Sequence, residues 1–431
     1  MTALSRKRVT PSWLVSLVAG LAAFGTYSCM YAFRKAFTAG TYSTLQLGPL
    51  DYKVWLILAQ MLGYTLSKFY GIRFLAQRRP QQRIPTLIAL LSMAGLALLG
   101  FALCPVPYNI VFLFLNGLPL GMIWGLVFSF LEGRRHTELM GAVMAISLIF
   151  ASGLVKTVGL LLIRWGGISE FWMPFLTGLV FSVPLAGCLY VLSQIPAPSA
   201  EDKRLRTERR PMNRAQRRLF IRQFLPGIVL TVLVYTLLTV ARDIRDNFEV
   251  EIWQRLGYGN QPGIYTQVDG PVALSVLLLL SLLILVRNNL KAFSLIHLLI
   301  IGACLLMGFA TLAYNAGQLS GLHWMALSGL GLYLAYVPYN AIFFERMLAT
   351  FREKGNVAFV MSLADSFGYL GSVGVLCLKE FSQEGLSWGQ FYNQILLFVA
   401  LSGAVLALAS LYYFRKKHSI PSVSYPPLIH D

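Results

Sequence analysis

The sequence predicts an all-α membrane protein with twelve transmembrane helices in two pseudo-symmetric six-helix bundles. Three observations carry that expectation. Of 431 residues, 56% are hydrophobic and only 13% charged. Apolar runs close to the ~20 residues that cross a bilayer recur along the whole chain. The formal charge of +18 is concentrated in alternate links between those runs, which is the positive-inside pattern of a multi-pass protein.

In order, the runs lie near 12–36, 52–75, 84–104, 107–130, 138–163 and 171–194, then near 224–248, 264–286, 292–313, 322–345, 356–378 and 388–414. We number them spans 1 to 12. Between the sixth and seventh the chain turns polar and basic, with Lys203, Arg204, Arg206, Arg209 and Arg210 among the excess cations. The expected organisation is a bundle over 1–194, a basic cytoplasmic linker over 195–222, a second bundle over 223–414 and a cytoplasmic tail over 415–431. Even-numbered links carry Arg78, Arg79 and Arg83, Arg134 and Arg135, Arg287 and Lys291, and Arg346, Arg352 and Lys354; odd-numbered links carry little beyond Lys53, Arg164, Arg255 and Lys379. Both termini are therefore expected in the cytoplasm of a bacterial inner (plasma) membrane. Arg6, Lys7 and Arg8 precede a first run too long for a signal peptide, which reads as an uncleaved span.

The same pattern removes other classes. Basic residues that set topology give no reason to expect a nucleic-acid partner. Cys29, Cys104, Cys188, Cys304 and Cys377 sit singly in separate apolar runs, and the five histidines lack metal-ligand spacing. No nucleophile, base and orienter set and no phosphate-binding loop is present, so neither an enzyme nor a cofactor or metal is expected. The expected partners are the bilayer and a small anionic substrate, and the chain is expected to be a monomer.

A guanidinium on a lipid-grade helix needs a reason, because a charge at membrane depth costs about 2.5 kcal/mol or more and is kept where it pairs, lines water or binds something. Span 1 ends in Tyr27-Ser-Cys-Met-Tyr31-Ala-Phe-Arg34-Lys35-Ala-Phe37. Tyr27, Tyr31 and Arg34 share one helix face at i, i+4 and i+7. At ~1.5 Å per residue Arg34 lies about 33 Å along span 1, and Arg242 about 27 Å along span 7, roughly level with it. The Tyr27 and Arg34 spacing recurs in Tyr235 and Arg242; Gly117-Leu118 with Glu132 in span 4 resembles Gly329-Leu330 with Glu345 in span 10. Such echoes fit duplicated halves facing a central cavity.

Twelve spans in two halves joined by a long basic loop resemble the major facilitator superfamily over nearly the whole chain. Within it, Tyr31-Ala-Phe-Arg34-Lys35-Ala-Phe37 is similar to the Tyr-x-x-Arg-Lys-x-Phe of the organophosphate:phosphate antiporters, and Tyr64-Thr-Leu-Ser67-Lys68-Phe69 to their Tyr-x-x-Ser-Lys-Phe. Tyr235, Arg242 and Asp246 resemble that branch's span 7. The resemblance implies rocker-switch exchange of an organophosphate for phosphate, with Arg34 and Arg242 gripping the phosphate and Lys68, Tyr31 and Tyr64 lining the site; Tyr27 and Tyr235, equivalently spaced from the two arginines, are further expected lining residues. Two departures stand out. The usual aspartate after Gly71 is missing, and Asp243 and Arg245 flank Arg242.

Arginine offers a planar fork of donors matched to phosphate or carboxylate, so an anion site is expected from the residues themselves. The rival is that Arg34 and Arg242 are held in structural pairs with Asp243 or Asp246. Lys68 and Asp365 lie at similar depth on spans 2 and 11, and Lys68 is read either as a bridge to Asp365 or as a third anion contact. Lys156 and Asp269 are level on spans 5 and 8, as an outer gate or a static bridge. Glu132 and Glu345 close spans 4 and 10 as inner-gate or surface charges, and Pro119 and Pro338 allow bending there. Asp365 and Glu345 keep a proton-coupled symporter of a sugar or organic acid as the alternative, and a non-transporting anion sensor as another.

Overall fold

The computed structural model describes residues 12–76, 80–132, 134, 136–198, 214–351, 357–381 and 385–419. Helices dominate, because a chain in hydrocarbon must satisfy every backbone N–H and C=O within its own segments. Spans 1 to 3 are Ser12–Lys35, Tyr52–Ala76 and Arg83–Leu103. Span 4 comes in two pieces, Ile110–Leu120 and Ile123–Leu131, followed by Thr137–Arg164 and Met173–Gln194. Spans 7 to 9 are Arg214–Arg255, Ile264–Ile284 and Asn289–Asn315. Span 10 runs Gly321–Pro338, continues as a π-helical turn over Tyr339–Phe343 and ends with Phe344–Phe351; spans 11 and 12 are Val357–Phe381 and Trp388–Ser419. Ten of these helices are long and apolar enough to cross a membrane by composition alone. The remaining two, spans 2 and 11, carry Lys68 and Asp365. A two-residue hairpin, β1 (Gln46–Leu47) against β2 (Leu50–Asp51), joins spans 1 and 2.

Span 7 starts earlier than the hydropathy suggested. Residues 214–222, expected in the linker, belong to its helix, because a basic amphipathic stretch can extend a helix beyond its apolar part. Linker residues 199–213 and tail residues 420–431 lie outside the described residues.

Each half repeats one packing scheme. In the first, span 1 packs on spans 5 and 6, span 2 on span 4, and span 3 on spans 4 and 6; in the second, span 7 packs on spans 11 and 12, span 8 on span 10, and span 9 on spans 10 and 12. The breaks in spans 4 and 10 obey the same symmetry. Pro119 has no N–H to give and crowds the carbonyl one turn back, so span 4 is interrupted at Gly121. Pro338 stands just before the π turn of span 10.

Spans 2 and 4 touch backbone to backbone, through glycines. A Cβ on Gly117 would overlap the Gln60 carbonyl, one on Gly63 the Phe114 carbonyl, and one on Gly121 would sit 2.6 Å from the Tyr64 carbonyl. This contact fixes Gln60, Tyr64 and Ser67 against the core. Gly117→Val is expected to destabilise the detergent-solubilised protein by about 1–3 kcal/mol through overpacking, read as a lower melting temperature in tryptophan fluorescence. Gly187→Val, where a Cβ meets open space, is expected to change it little.

Candidate functional site

We call the face where spans 1, 7 and the other odd-numbered helices begin the near face, and the opposite one the far face. Span 1 ends inside the protein, toward the far face, and its last carbonyls need partners. Side chains supply them. Asn116 donates to the Phe33 carbonyl (3.1 Å), Gln60 to that of Arg34 (2.6 Å), Thr38 to that of Lys35 (2.8 Å), and Lys53 to that of Thr38 (2.9 Å). Gln60 and Asn116 are themselves bonded at 2.8 Å. The backbone of Arg34 is thereby fixed from spans 2 and 4.

The Arg34 side chain is buried, at 7% exposure. Its guanidinium lies 4.0 Å from the Tyr64 ring centre and 5.7 Å from that of Tyr31. Tyr27 packs edge-on against Tyr31 and Trp124. Tyr31 lies in the neighbourhood of Arg34, Arg242 and Asp246.

Six other cations between the helices each find a carboxylate. Lys35 binds Asp246 at 2.9 Å, Lys53 binds Glu251 at 2.6 Å, Lys156 binds Glu249 at 2.7 Å and Lys68 binds Asp365 at 2.5 Å. Arg245 binds Asp269 at 3.0 Å, and Arg242 binds its neighbour Asp243. Arg34 is left over: among the described residues no carboxylate lies within ion-pair distance of it. With the near-face pair of Arg346 and Glu138, the interhelical set among the described residues is therefore eight cations and seven anions.

Several expectations need correction. Lys156 does not pair with Asp269. Asp246 and Glu249, on either side of the kink at Phe248 in span 7, both turn to span 5 and take it, while Arg245 takes Asp269 within the second half. Asp246 does not quench Arg242; it is shared by Lys35, Lys156 and the Ser152 hydroxyl. Asp243, in contrast, does neutralise Arg242 and also accepts from Ser372 at 2.7 Å. Lys53, counted from the sequence as a loop charge, is buried at 3% exposure.

Tyr235 lies at the near end of the same network. Its hydroxyl bonds to Asp365 and lies 3.1 Å from that of Tyr336, which accepts from Arg242 at 2.6 Å. Lys68 is also 4.8 Å from the ring centre of Tyr369. One connected path thus runs from Lys68 in the first half to Arg242 in the second. Tyr336, Tyr369, Gln60 and Asn116 were not singled out from the sequence, because a tyrosine or amide in an apolar run has no periodic signal that separates site from core. Glu132 and Glu345 are half-buried at the near ends of spans 4 and 10. Next to Glu345, Arg346 reaches across to Glu138 on span 5 at 2.9 Å.

Exposure separates the two ends. The far-side pair Lys156 and Glu249 is 0% and 1% exposed, whereas Lys68 and Asp365 are 29% and 23% and Glu138 is 33%. Spans 5 and 8 are also in close contact there, with Thr157 and Thr266 hydroxyls 2.9 Å apart. The far side of the junction between halves is sealed and the near side is more open.

Two six-helix halves with matched packing, proline-broken fourth and tenth helices and a polar centre define the fold of the major facilitator superfamily. Solved transporters share it. The chain superposes on the crystal structure of a D-xylose-proton symporter with a TM-score of 0.62 at 14% identity, covering 92% of this chain and 97% of that one. For the major facilitator superfamily proton:xylose symporter XylE bound to a bromodeoxyglucose the values are 0.62, 13%, 94% and 96%, and for a point mutant of the nucleoside transporter NupG 0.57, 14%, 93% and 100%. No functionally curated protein matches by sequence. The chain itself belongs to DUF5690, a family of unknown function, which it matches over residues 36–417.

Because Asp246 serves two lysines, its loss leaves buried charge without a partner. Asp246→Asn is expected to cost roughly 3–5 kcal/mol, measured as thermal unfolding in detergent or nanodiscs. Adding Lys35→Met should recover part of that loss.

Proposed function

We propose that this protein is a secondary transporter of small organic anions, working by alternating access, with organophosphate exchanged for phosphate as its activity. The observation that carries this reading is Arg34, a buried guanidinium between tyrosine rings with no carboxylate partner among the described residues. An unpaired charge in a low-dielectric interior is costly. An anionic substrate relieves it, and arginine's fork suits a phosphate oxyanion. The short motifs around Tyr31, Arg34, Tyr64 and Lys68 support the phosphate class.

In this reading Arg34 is the principal anion contact, Tyr31 and Tyr64 shape the site, and Lys68 lies beside it. Arg242 acts differently from its expected twin, since Asp243 already neutralises it; it holds Tyr336 and through it Tyr235. The near face, which carries the basic links, is the cytoplasmic one, in a bacterial inner membrane. The sealed far side and more open near side then correspond to a cytoplasm-facing state. A proton-coupled symporter is the second reading, favoured by the partly exposed carboxylate of Asp365 on an interhelical bridge.

Counterflow in phosphate-loaded proteoliposomes tests the proposal. Labelled phosphate should enter through the wild-type protein, and Arg34→Ala should reduce uptake at least about 30-fold, the low end for losing one member of a buried charge pair. Uptake that survives Arg34→Ala removes the reading. Acidification coupled to uptake and lost in Asp365→Asn would favour the symporter.

A further inference from the structure

We infer that the central site selects ligands by net charge and takes phosphate and its esters in their monoanionic form, with Asp365 setting that number. The inference rests on the anion site proposed above and specifies its substrate class. Its basis is the pairing pattern. Among the described residues, seven of the eight cations between the helices are each matched to one carboxylate, leaving a single positive charge at Arg34. One negative charge on the ligand brings the enclosed set to neutrality. A second would have no cation except by displacing a carboxylate already in place, which would then be buried unpaired.

The cation that shares the Tyr64 ring with Arg34 is Lys68, and the carboxylate bonded to it is Asp365. It faces Lys68 from span 2 and Tyr235 from span 7, with Tyr336 and Asn340 on span 10 beyond Tyr235. Around Arg34 the charged or titratable groups are Tyr27, Tyr31 and the Asp246-paired Lys35 on its own helix, Tyr64 on span 2 and Tyr369 on span 11. None of these tyrosines adds charge at neutral pH. Lys68 connects the two sets, stacking over both Tyr64 and Tyr369 while bonded to Asp365. Neutralising Asp365 leaves Lys68 unmatched beside Arg34 and raises the site by one positive charge. The preferred ligand then becomes a dianion.

Two probes of the same shape and different charge test this. Phenyl sulfate is a fixed monoanion; phenyl phosphate passes from monoanion to dianion near its second ionisation, about pH 6. Binding is measured on the full chain in nanodiscs. At pH 8 the wild-type protein should bind the sulfate at least tenfold more tightly than the phosphate. Between pH 5 and pH 8 phenyl phosphate affinity should fall as its dianion forms, while phenyl sulfate affinity stays within threefold. Asp365→Asn should reverse the pH 8 preference, and Lys68→Met with Asp365→Asn should return it to the monoanion. A wild-type protein that prefers the dianion at pH 8 overturns the inference, even if the variants do not fold. A sulfate-to-phosphate ratio unchanged in Asp365→Asn does the same. If neither probe binds, or both bind Arg34→Ala as tightly as the wild type, the transport proposal falls and this inference with it. If both bind through Arg34 but the dianion is favoured, only the charge rule is lost.

Discussion

The requirement that buried charge be neutralised organises this protein more than any other. Taking an ion out of water costs several kcal/mol even after relaxation, and a partner recovers that only when geometry is good. Here the partners are divided unequally between the halves. Among the described residues the first half supplies Arg34, Lys35, Lys53, Lys68 and Lys156 with one carboxylate, Glu138; the second supplies six carboxylates together with Arg242, Arg245 and Arg346. One face of the junction carries a net excess of four positive charges and the other a net excess of three negative charges. Five of these seven ion pairs consequently cross between halves, so the charges help to hold the two bundles together.

Those five pairs are distributed by depth. Three lie toward the far face on span 7 and two toward the near face, on spans 11 and 10. Rocking the halves to open the far side would separate the three far pairs, whereas the two near pairs already meet water. The sealed state is thus electrostatically favoured when the site is empty. In the proposed transport cycle, an anion bound at Arg34 would change that balance by bringing its own negative charge to a junction otherwise short of one.

The fold was legible because hydropathy acts over twenty residues at a time, and the positive-inside pattern over every link. Small deviations were local: span 7 begins at Arg214, and spans 4 and 10 are broken beside Pro119 and Pro338. The site was legible in part. Arg34, Arg242, Lys68 and Asp365 stand out as charges in apolar runs, and the level of Lys68 with Asp365 follows from counting rise along two helices. Pair choice was not legible at the far side. Lys156 and Asp269 match in depth, but which way Asp246, Glu249 and Arg245 point depends on the rotation of span 7 about its axis, and depth counting contains no such angle. Gln60 and Asn116 were invisible for another reason: their work is to complete the end of span 1, a need that arises only once that helix is seen to stop inside the protein.

The division of charge between halves also bears on how the chain is made. Spans 1 to 6 leave the ribosome first and carry five cations that, among the described residues, take no acidic partner from their own half. Until span 7 delivers Asp246, Glu249 and Glu251, Lys35, Lys156 and Lys53 have to remain hydrated or mispaired. The first bundle is therefore an incomplete folding unit despite its six helices, and span 7, kinked at Phe248, is what closes the junction. Biogenesis of this transporter-like fold then has a natural checkpoint at the midpoint of translation, when one long helix must dock before the earlier half becomes stable.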